Sequence, residues 1–270
     1  MAAVRAVPRR SVSRLSGRLA SMRARMAVRQ FAARFDIDLD EAEKPIEAYD
    51  SVLDLFTRRL RAGARPVDAR DDVVVSPTDG ALAEHGRIDG DTLVQAKGRT
   101  YSLTALLAEQ TDAFKGGSYA TLYLSPRDYH RVHSPVDGEI TGFTHVPGDL
   151  FPVNQASVST IDGLYARNER VITHIASSHF GRVAVVKVGA TNVGRITLTH
   201  CPALVTNTLP ARSPPRRQTP SSPLALRRGD EMAVFALGST VIVITEAPIE
   251  WFTPRIPTQM GMALGQRARV

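Results

Sequence analysis

The sequence predicts an α+β fold, mainly β, in which a β-sheet or barrel-like domain with a duplicated β unit follows a helical, membrane-associating segment. Three observations predict it. Short β-branched runs recur from about Val73 onward, and the residues before Arg34 are basic with apolar side chains at helical spacing. The third is an internal echo, Ser76-Pro77-Thr78-Asp79-Gly80 returning as Ser134-Pro135-Val136-Asp137-Gly138.

The N-terminal segment comes first. Met1 to Arg34 holds Arg5, Arg9, Arg10, Arg14, Arg18, Arg23, Arg25, Arg29 and Arg34 without one Asp or Glu. Leu15, Leu19, Met22 and Met26 would form one apolar stripe beside these arginines, the pattern of a helix lying in a membrane interface. A solvated basic tail and an Arg-rich presequence are the competing readings. No run of about 18 apolar residues exists, so a spanning helix is not expected. An acidic patch follows from Asp36 to Glu43. A helix then opens at Ser51 with Val52, Leu55, Phe56 and Leu60 on one face and Gly63 placed to cap it. Residues 1–65 form this helical region, and 66–270 the main domain.

The strands are read from Val73-Val74-Val75, Tyr119 to Leu124, Ile140 to Val146, Val183 to Val188, Arg195 to Thr199, Ala233 to Leu237 and Val241 to Ile244. One helix interrupts them at Leu103 to Glu109, behind Ser102 as N-cap. Leu209 to Pro223, rich in Pro, Ser and Arg, reads as an exposed loop. The repeated Pro-x-Asp-Gly has a plain reading too, since Pro fixes φ and Gly accepts positive φ in an ordinary turn.

The totals bound the function. In 270 residues, 43% hydrophobic content supports a real core. The single cysteine, Cys201, excludes an internal disulfide and a multi-thiolate metal site, and suits a reducing compartment. A net charge of +7 and a pI near 10.0 favour an anionic partner: nucleic acid, an anionic bilayer or a phosphorylated substrate.

Several segments carry chemistry-bearing residues. Gly238-Ser239 separates two apolar runs and reads as a two-residue hairpin turn. A Gly before Ser also leaves the peptide carbonyl unshielded, where a serine hydroxyl could attack it. His130 and His133 stand three residues apart between turn signals, suited to proton transfer near neutral pH. As metal ligands they lack a third partner, and His145, His174, His179 and His200 are scattered. Gly189 to Gly194 looks phosphate-friendly but lacks the Gly-Lys-Ser/Thr ending of a P-loop.

Taken in order, Ser76 to Gly80, Gln95-Ala96-Lys97-Gly98, Leu124 to Pro135, Val146 to Phe151, Ala166 to Val171, Val188 to Gly194 and Leu237-Gly238-Ser239-Thr240 make the chain similar to the bacterial phosphatidylserine decarboxylases, across roughly Asp36 to Ile244. The resemblance implies that Asp79, His133 and Ser239 form a self-processing triad, serine-protease logic used once in cis. Asp79 would orient the imidazole, His133 would take the hydroxyl proton, and Ser239 would attack the Gly238 carbonyl to form an ester. Elimination of the Gly238 carboxylate, tautomerisation and hydrolysis would leave a pyruvoyl group and release ammonia. The products would be a large chain 1–238 and a small chain 239–270, associated as a heterodimer. The residues themselves do not separate Asp79 from Asp137; the family position favours Asp79.

The resemblance further implies conversion of phosphatidylserine to phosphatidylethanolamine and carbon dioxide through a Schiff base with the pyruvoyl group. His130 would assist decarboxylation and reprotonation, with Phe151 and Asn154 as pocket residues. No metal and no nucleic-acid partner are expected. The substrate would lie in an anionic membrane, with the protein peripheral on the cytoplasmic side of the cell membrane. The rival readings are a pyruvoyl decarboxylase of a soluble amino acid and a non-enzymatic, carrier-like or nucleic-acid-binding β module.

Overall fold

The basic N-terminal segment is helical: α1 spans Arg9–Ala20 and α2 spans Arg25–Phe35. The computed structural model describes residues 9–96, 98–191, 195–236, 240–252 and 257–268. Helix α1 lies on the main domain through its arginines. The Arg10 guanidinium donates to the carbonyls of Gly148 (2.6 Å) and Leu209 (2.5 Å) and pairs with Glu169 at 3.1 Å, while Arg14 donates to the Asn207 carbonyl at 3.0 Å. Helix α2 buries Val28 and Ala32 in a small satellite core with Ile37, Tyr49 and Leu55. The helical run breaks over Ser21 to Ala24, so the four apolar residues do not share one helix face as expected; Leu15, Leu19, Met22 and Met26 are nevertheless exposed by 58%, 58%, 60% and 68%. Among the described residues, no helix is long and apolar enough to cross a membrane.

Helix α3, Val52–Phe56, starts as the sequence predicts, the Ser51 hydroxyl accepting the Asp54 amide at 3.1 Å. It stops earlier than expected. The Thr57 hydroxyl bonds back to the Leu53 carbonyl at 2.9 Å, and Leu60 leaves the helix to bridge Ala42, so Gly63 caps nothing.

Then follow β1 (Val73–Val75), β2 (Gly80–Arg87), β3 (Thr92–Ala96), β4 (Arg99–Ser102), α4 (Leu103–Leu107), β5 (Ser118–Tyr123), β6 (Arg131–His133) and β7 (Gly138–Val146). After α5 (Gln155–Val158) and α6 (Leu164–Arg167) come β8 (Arg170–Ser177), β9 (Gly181–Val188), β10 (Ile196–Leu198), β11 (Arg216–Gln218), β12 (Leu224–Leu226) and β13 (Glu231–Phe235). The chain ends with β14 (Thr240–Thr245), β15 (Ile249–Trp251), β16 (Pro257–Thr258) and β17 (Ala263–Arg267). The main sheet runs β11-β7-β8-β9-β14-β5-β2-β16, with β12 also on β7. Its ends do not meet, so the sheet is open and the barrel-like expectation is corrected. Strand β14 is buried along its whole length, which requires a neighbour on each side, β5 and β9.

The hairpin reading is overturned, because β5 and β9 occupy both edges of β14. Strand β13 belongs to a separate sheet, between β10 and β6, and does not pair with β14. The chain therefore passes from one sheet to another between Ala236 and Thr240. The loop expected over Leu209 to Pro223 is also partly strand, because Arg216–Gln218 pairs with Phe143–His145 along the sheet edge.

The two echoed turns make matching bonds. Ser76 and Ser134 each donate their hydroxyl to the carbonyl two residues on, at 2.6 and 2.7 Å. The Val75 amide donates to Pro135 (3.0 Å) and the His133 amide to Pro77 (2.7 Å), a reciprocal exchange. The glycines are needed for close approach: a Cβ on Gly80 would lie 2.3 Å from the Tyr123 carbonyl oxygen, and one on Gly138 2.3 Å from that of Ala176.

Candidate active site

The reciprocal turn bonds bring the chemistry-bearing segments together. Pro77 holds the His133 amide, and Asp79 stands two residues further along the same turn, just before β2. On the sheet, Ala81 lies opposite Tyr123 and Tyr123 opposite Thr240, so the turn and the start of β14 are two strand spacings apart, about 10 Å. From the other side, the Phe235 amide donates to the His130 carbonyl at 3.0 Å. Gly238 and Ser239 lie outside the described residues; of the chain on either side of them, Phe235 is bonded to His130 and Thr240 pairs with Tyr123.

Asp79 is buried, 6% exposed. Arg65 grips it with Nε at 2.9 Å from Oδ1 and Nη2 at 2.7 Å from Oδ2, and the Met260 amide adds a bond of 2.9 Å to Oδ1. Arg65 also pairs with Glu41 at 2.6 Å. Buried between two carboxylates, its guanidinium is held firmly charged. The environments now separate the two aspartates. Asp137 is half-exposed and paired with Arg228 at 2.8 Å, whereas Asp79 is buried against Arg65.

His133 is oriented by the backbone. Its Nδ1 lies 2.7 Å from the Gly229 carbonyl, which can only accept, so Nδ1 carries the proton and Nε2 accepts the Tyr129 hydroxyl at 3.1 Å. The orienting bond that the resemblance gives to Asp79 is thus made by Gly229, and of the two carboxylates whose charge reaches the imidazole Glu231 outweighs Asp79. Burial pushes the His133 pKa below the ordinary histidine range, opposed by the Gly229 bond.

His130 is fully buried, its ring 3.8 Å from that of Phe56. Nδ1 donates to the Asp128 carbonyl at 2.7 Å, leaving Nε2 without a partner among the described residues. Burial, with the nearby Arg58 guanidinium adding to it, lowers its pKa to about 3, so the imidazole is neutral.

Neither expected pocket residue is among those lining the main cavity near Tyr123, although Asn154 stands between two that are, Val153 and Gln155. Phe151 is buried between the guanidinium groups of Arg9 (4.1 Å) and Arg167 (4.6 Å), and Asn154 caps α5 by accepting the Ser157 amide. A cavity of about 740 Å³ is lined instead by Val153, Gln155, Tyr165, Glu84 and Tyr123, the last being the strand partner of Thr240. Among the described residues, no cluster of three metal-ligating side chains occurs. The phosphate-friendly segment ends at Asn192 to Gly194, outside the described residues.

Sequence reasoning missed Arg58, Arg65 and Tyr129. Each acts through a contact made far along the chain or by side-chain direction, and no periodicity or spacing reports that.

Residues 52–268 match the family profile described as phosphatidylserine decarboxylase. The chain is 42% identical to a protein of Anaeromyxobacter sp. (strain K) named phosphatidylserine decarboxylase proenzyme, over 98% of this chain and 96% of that one. A protein of the same name from Methylobacillus flagellatus is 44% identical over 88% and 86%. Another from Brevibacillus brevis is 38% identical over 92% and 89%. With such agreement along nearly its whole length, the chain belongs to the phosphatidylserine decarboxylase family.

Proposed function

We propose that the chain is a proenzyme that cuts itself between Gly238 and Ser239 and then decarboxylates phosphatidylserine to phosphatidylethanolamine. The observation that carries this reading is the passage from one sheet to another between Ala236 and Thr240, with neutral His130 bonded to Phe235 on its flank and His133 at the far end of the same strand pair. A surface hairpin has no need of such surroundings.

In the self-cleavage, His133 Nε2 takes the Ser239 hydroxyl proton as the oxygen adds to the Gly238 carbonyl, and Gly229 holds the imidazole in the required tautomer. Asp79, paired with Arg65 at 2.7 Å, stabilises the imidazolium by charge. Tyr129 must release Nε2 for this step. The pyruvoyl group so formed from Ser239 supplies a ketone carbonyl that condenses with the substrate amine and accepts the electrons released with carbon dioxide. The bare Nε2 of His130 suits a site beside that group, because a buried acceptor without a partner is costly unless a ligand meets it. His130 would manage the proton that replaces the carboxylate on the α-carbon.

The cut need not separate the two products. The small chain would supply β14, at the centre of the main sheet, together with β16 on β2 and β17 on β1. Matching bonds at the two Pro-x-Asp-Gly turns support a duplicated β unit. The exposed Leu15, Leu19, Met22 and Met26, in a segment that also carries Arg18, Arg23, Arg25 and Arg29, suit the surface of an anionic bilayer.

The test is production of phosphatidylethanolamine from phosphatidylserine vesicles by the wild type and by Ser239→Ala. The variant is expected to lose both cleavage and turnover; a Ser239→Ala protein that still decarboxylates would refute the reading. Flotation with anionic vesicles separates it from decarboxylation of a soluble amino acid, which predicts no association.

A further inference from the structure

Arg58 is 5% exposed, and among the described residues its guanidinium has one partner, the Arg127 carbonyl at 2.9 Å from Nη2. Its Nε and Nη1 are buried without a partner among those residues. No carboxylate pairs with it among the described residues, since Asp79, the strongest favourable charge near it, is gripped by Arg65. A buried cation with two idle donors is among the costliest groups a protein can keep, and breaking a buried pair costs so much because it leaves this situation behind.

Its position is fixed from two sides. Arg131 donates to the carbonyls of Thr57 (2.9 Å) and Arg58 (3.3 Å), tying the end of α3 to β6. Phe56, two residues before Arg58, lies on the His130 ring. Arg58 therefore crosses the loop that carries His130, and an orphaned cationic donor and an orphaned imidazole acceptor share one buried cluster.

We infer that Arg58 anchors the phosphodiester of the lipid headgroup, holding the serine end of the substrate toward His130; this rests on the function proposed above. The headgroup offers two anions, and chemistry chooses between them. A guanidinium on the carboxylate would stabilise the group that must leave and so oppose the reaction. The phosphodiester keeps its charge from substrate to product, lies three bonds from the α-carbon, and accepts the paired N–H bonds of a guanidinium. Binding that is equal in substrate and transition state lowers KM and leaves kcat alone. Arg58 is therefore a positioning residue whose loss has a defined kinetic signature.

The experiment compares wild type with Arg58→Gln, using soluble short-chain phosphatidylserine as substrate and short-chain phosphatidylethanolamine as inhibitor, with self-cleavage scored by mass. Arg58→Gln is expected to cleave, to raise KM about tenfold or more with kcat within about threefold, and to weaken inhibition by the product equally. The product has the phosphodiester but no carboxylate. A raised KM with unchanged product inhibition would thus move Arg58 to the carboxylate and overturn the inference, as would an unchanged KM. A role limited to clamping the Arg127 loop would lower the thermal midpoint and move neither constant. If Arg58→Gln fails to fold, Arg58→Lys keeps the charge and loses the fork; it is expected to raise KM and the inhibition constant several-fold together, and no change in either overturns the inference. Failure of the function itself reads differently: the wild type would make no phosphatidylethanolamine, whatever happens at Arg58.

Discussion

Arg65 holds both oxygens of Asp79, with Nε 2.9 Å from Oδ1 and Nη2 2.7 Å from Oδ2, inside the turn that also receives the His133 amide. Because Gly229 rather than Asp79 orients the His133 ring, the aspartate contributes charge and turn geometry, and both depend on Arg65.

Replacing Arg65 with Gln leaves the buried Asp79 and Glu41 without their cation. Removing one partner of a buried pair typically costs about 3–5 kcal/mol, and the half-exposed Glu41 arm places this site toward the low end. Self-cleavage of Arg65→Gln is expected to slow by about tenfold or more, with a lower thermal midpoint. Time-resolved gel analysis of the precursor checks this; wild-type cleavage in the variant would show that Asp79 needs no support.

The acid limb of self-cleavage should lie below the ordinary histidine pKa of about 6.5. His133 must be neutral to accept a proton, and burial lowers its pKa, so the base survives to lower pH than a solvent-exposed histidine would. Precursor conversion measured from pH 5 to 8 is expected to be flat above about 6.5 and to fall only in more acidic buffer. A rate still rising between pH 7 and 8 would assign the base elsewhere.

Lys187 makes a stability prediction. It is fully buried on β9, its Nζ bonded to the Thr173 hydroxyl, and burial pushes its pKa down to about 7. Between about pH 7 and 10.5 the unfolded chain binds a proton that the folded one does not, so this residue makes stability rise with pH across that window. Below it both states are charged and the full burial cost is present. Lys187→Met is expected to raise the thermal midpoint at pH 6.5 by more than at pH 9, and equal shifts at the two pH values would contradict a neutral buried amine.

Much of this was legible in the sequence. The β-branched runs located β1, β5, β7, β9, β13 and β14, and Ser51 and Ser102 marked two helix starts because their hydroxyls cap the first turn. Gly80–Arg87 was not legible: it has few β-branched residues and is a strand because Gly80 lets it approach Tyr123 closely. Nor was the sheet change between Ala236 and Thr240. Two apolar runs split by Gly-Ser satisfy a hairpin pattern, and only the pairing of β14 with β5 on one edge and β9 on the other, a tertiary fact, rules it out. The histidines stood out by spacing, but their tautomers are set by the Gly229 and Asp128 carbonyls, which side-chain patterns do not reveal.

The central claim is the cut before position 239, and intact-mass analysis of the purified protein under denaturing conditions tests it most directly. Two species are expected, one ending at Gly238 and one beginning at former Ser239 with a blocked terminus, running as a single particle when the same sample is kept native. One uncut, full-length species that converts phosphatidylserine to phosphatidylethanolamine would contradict it.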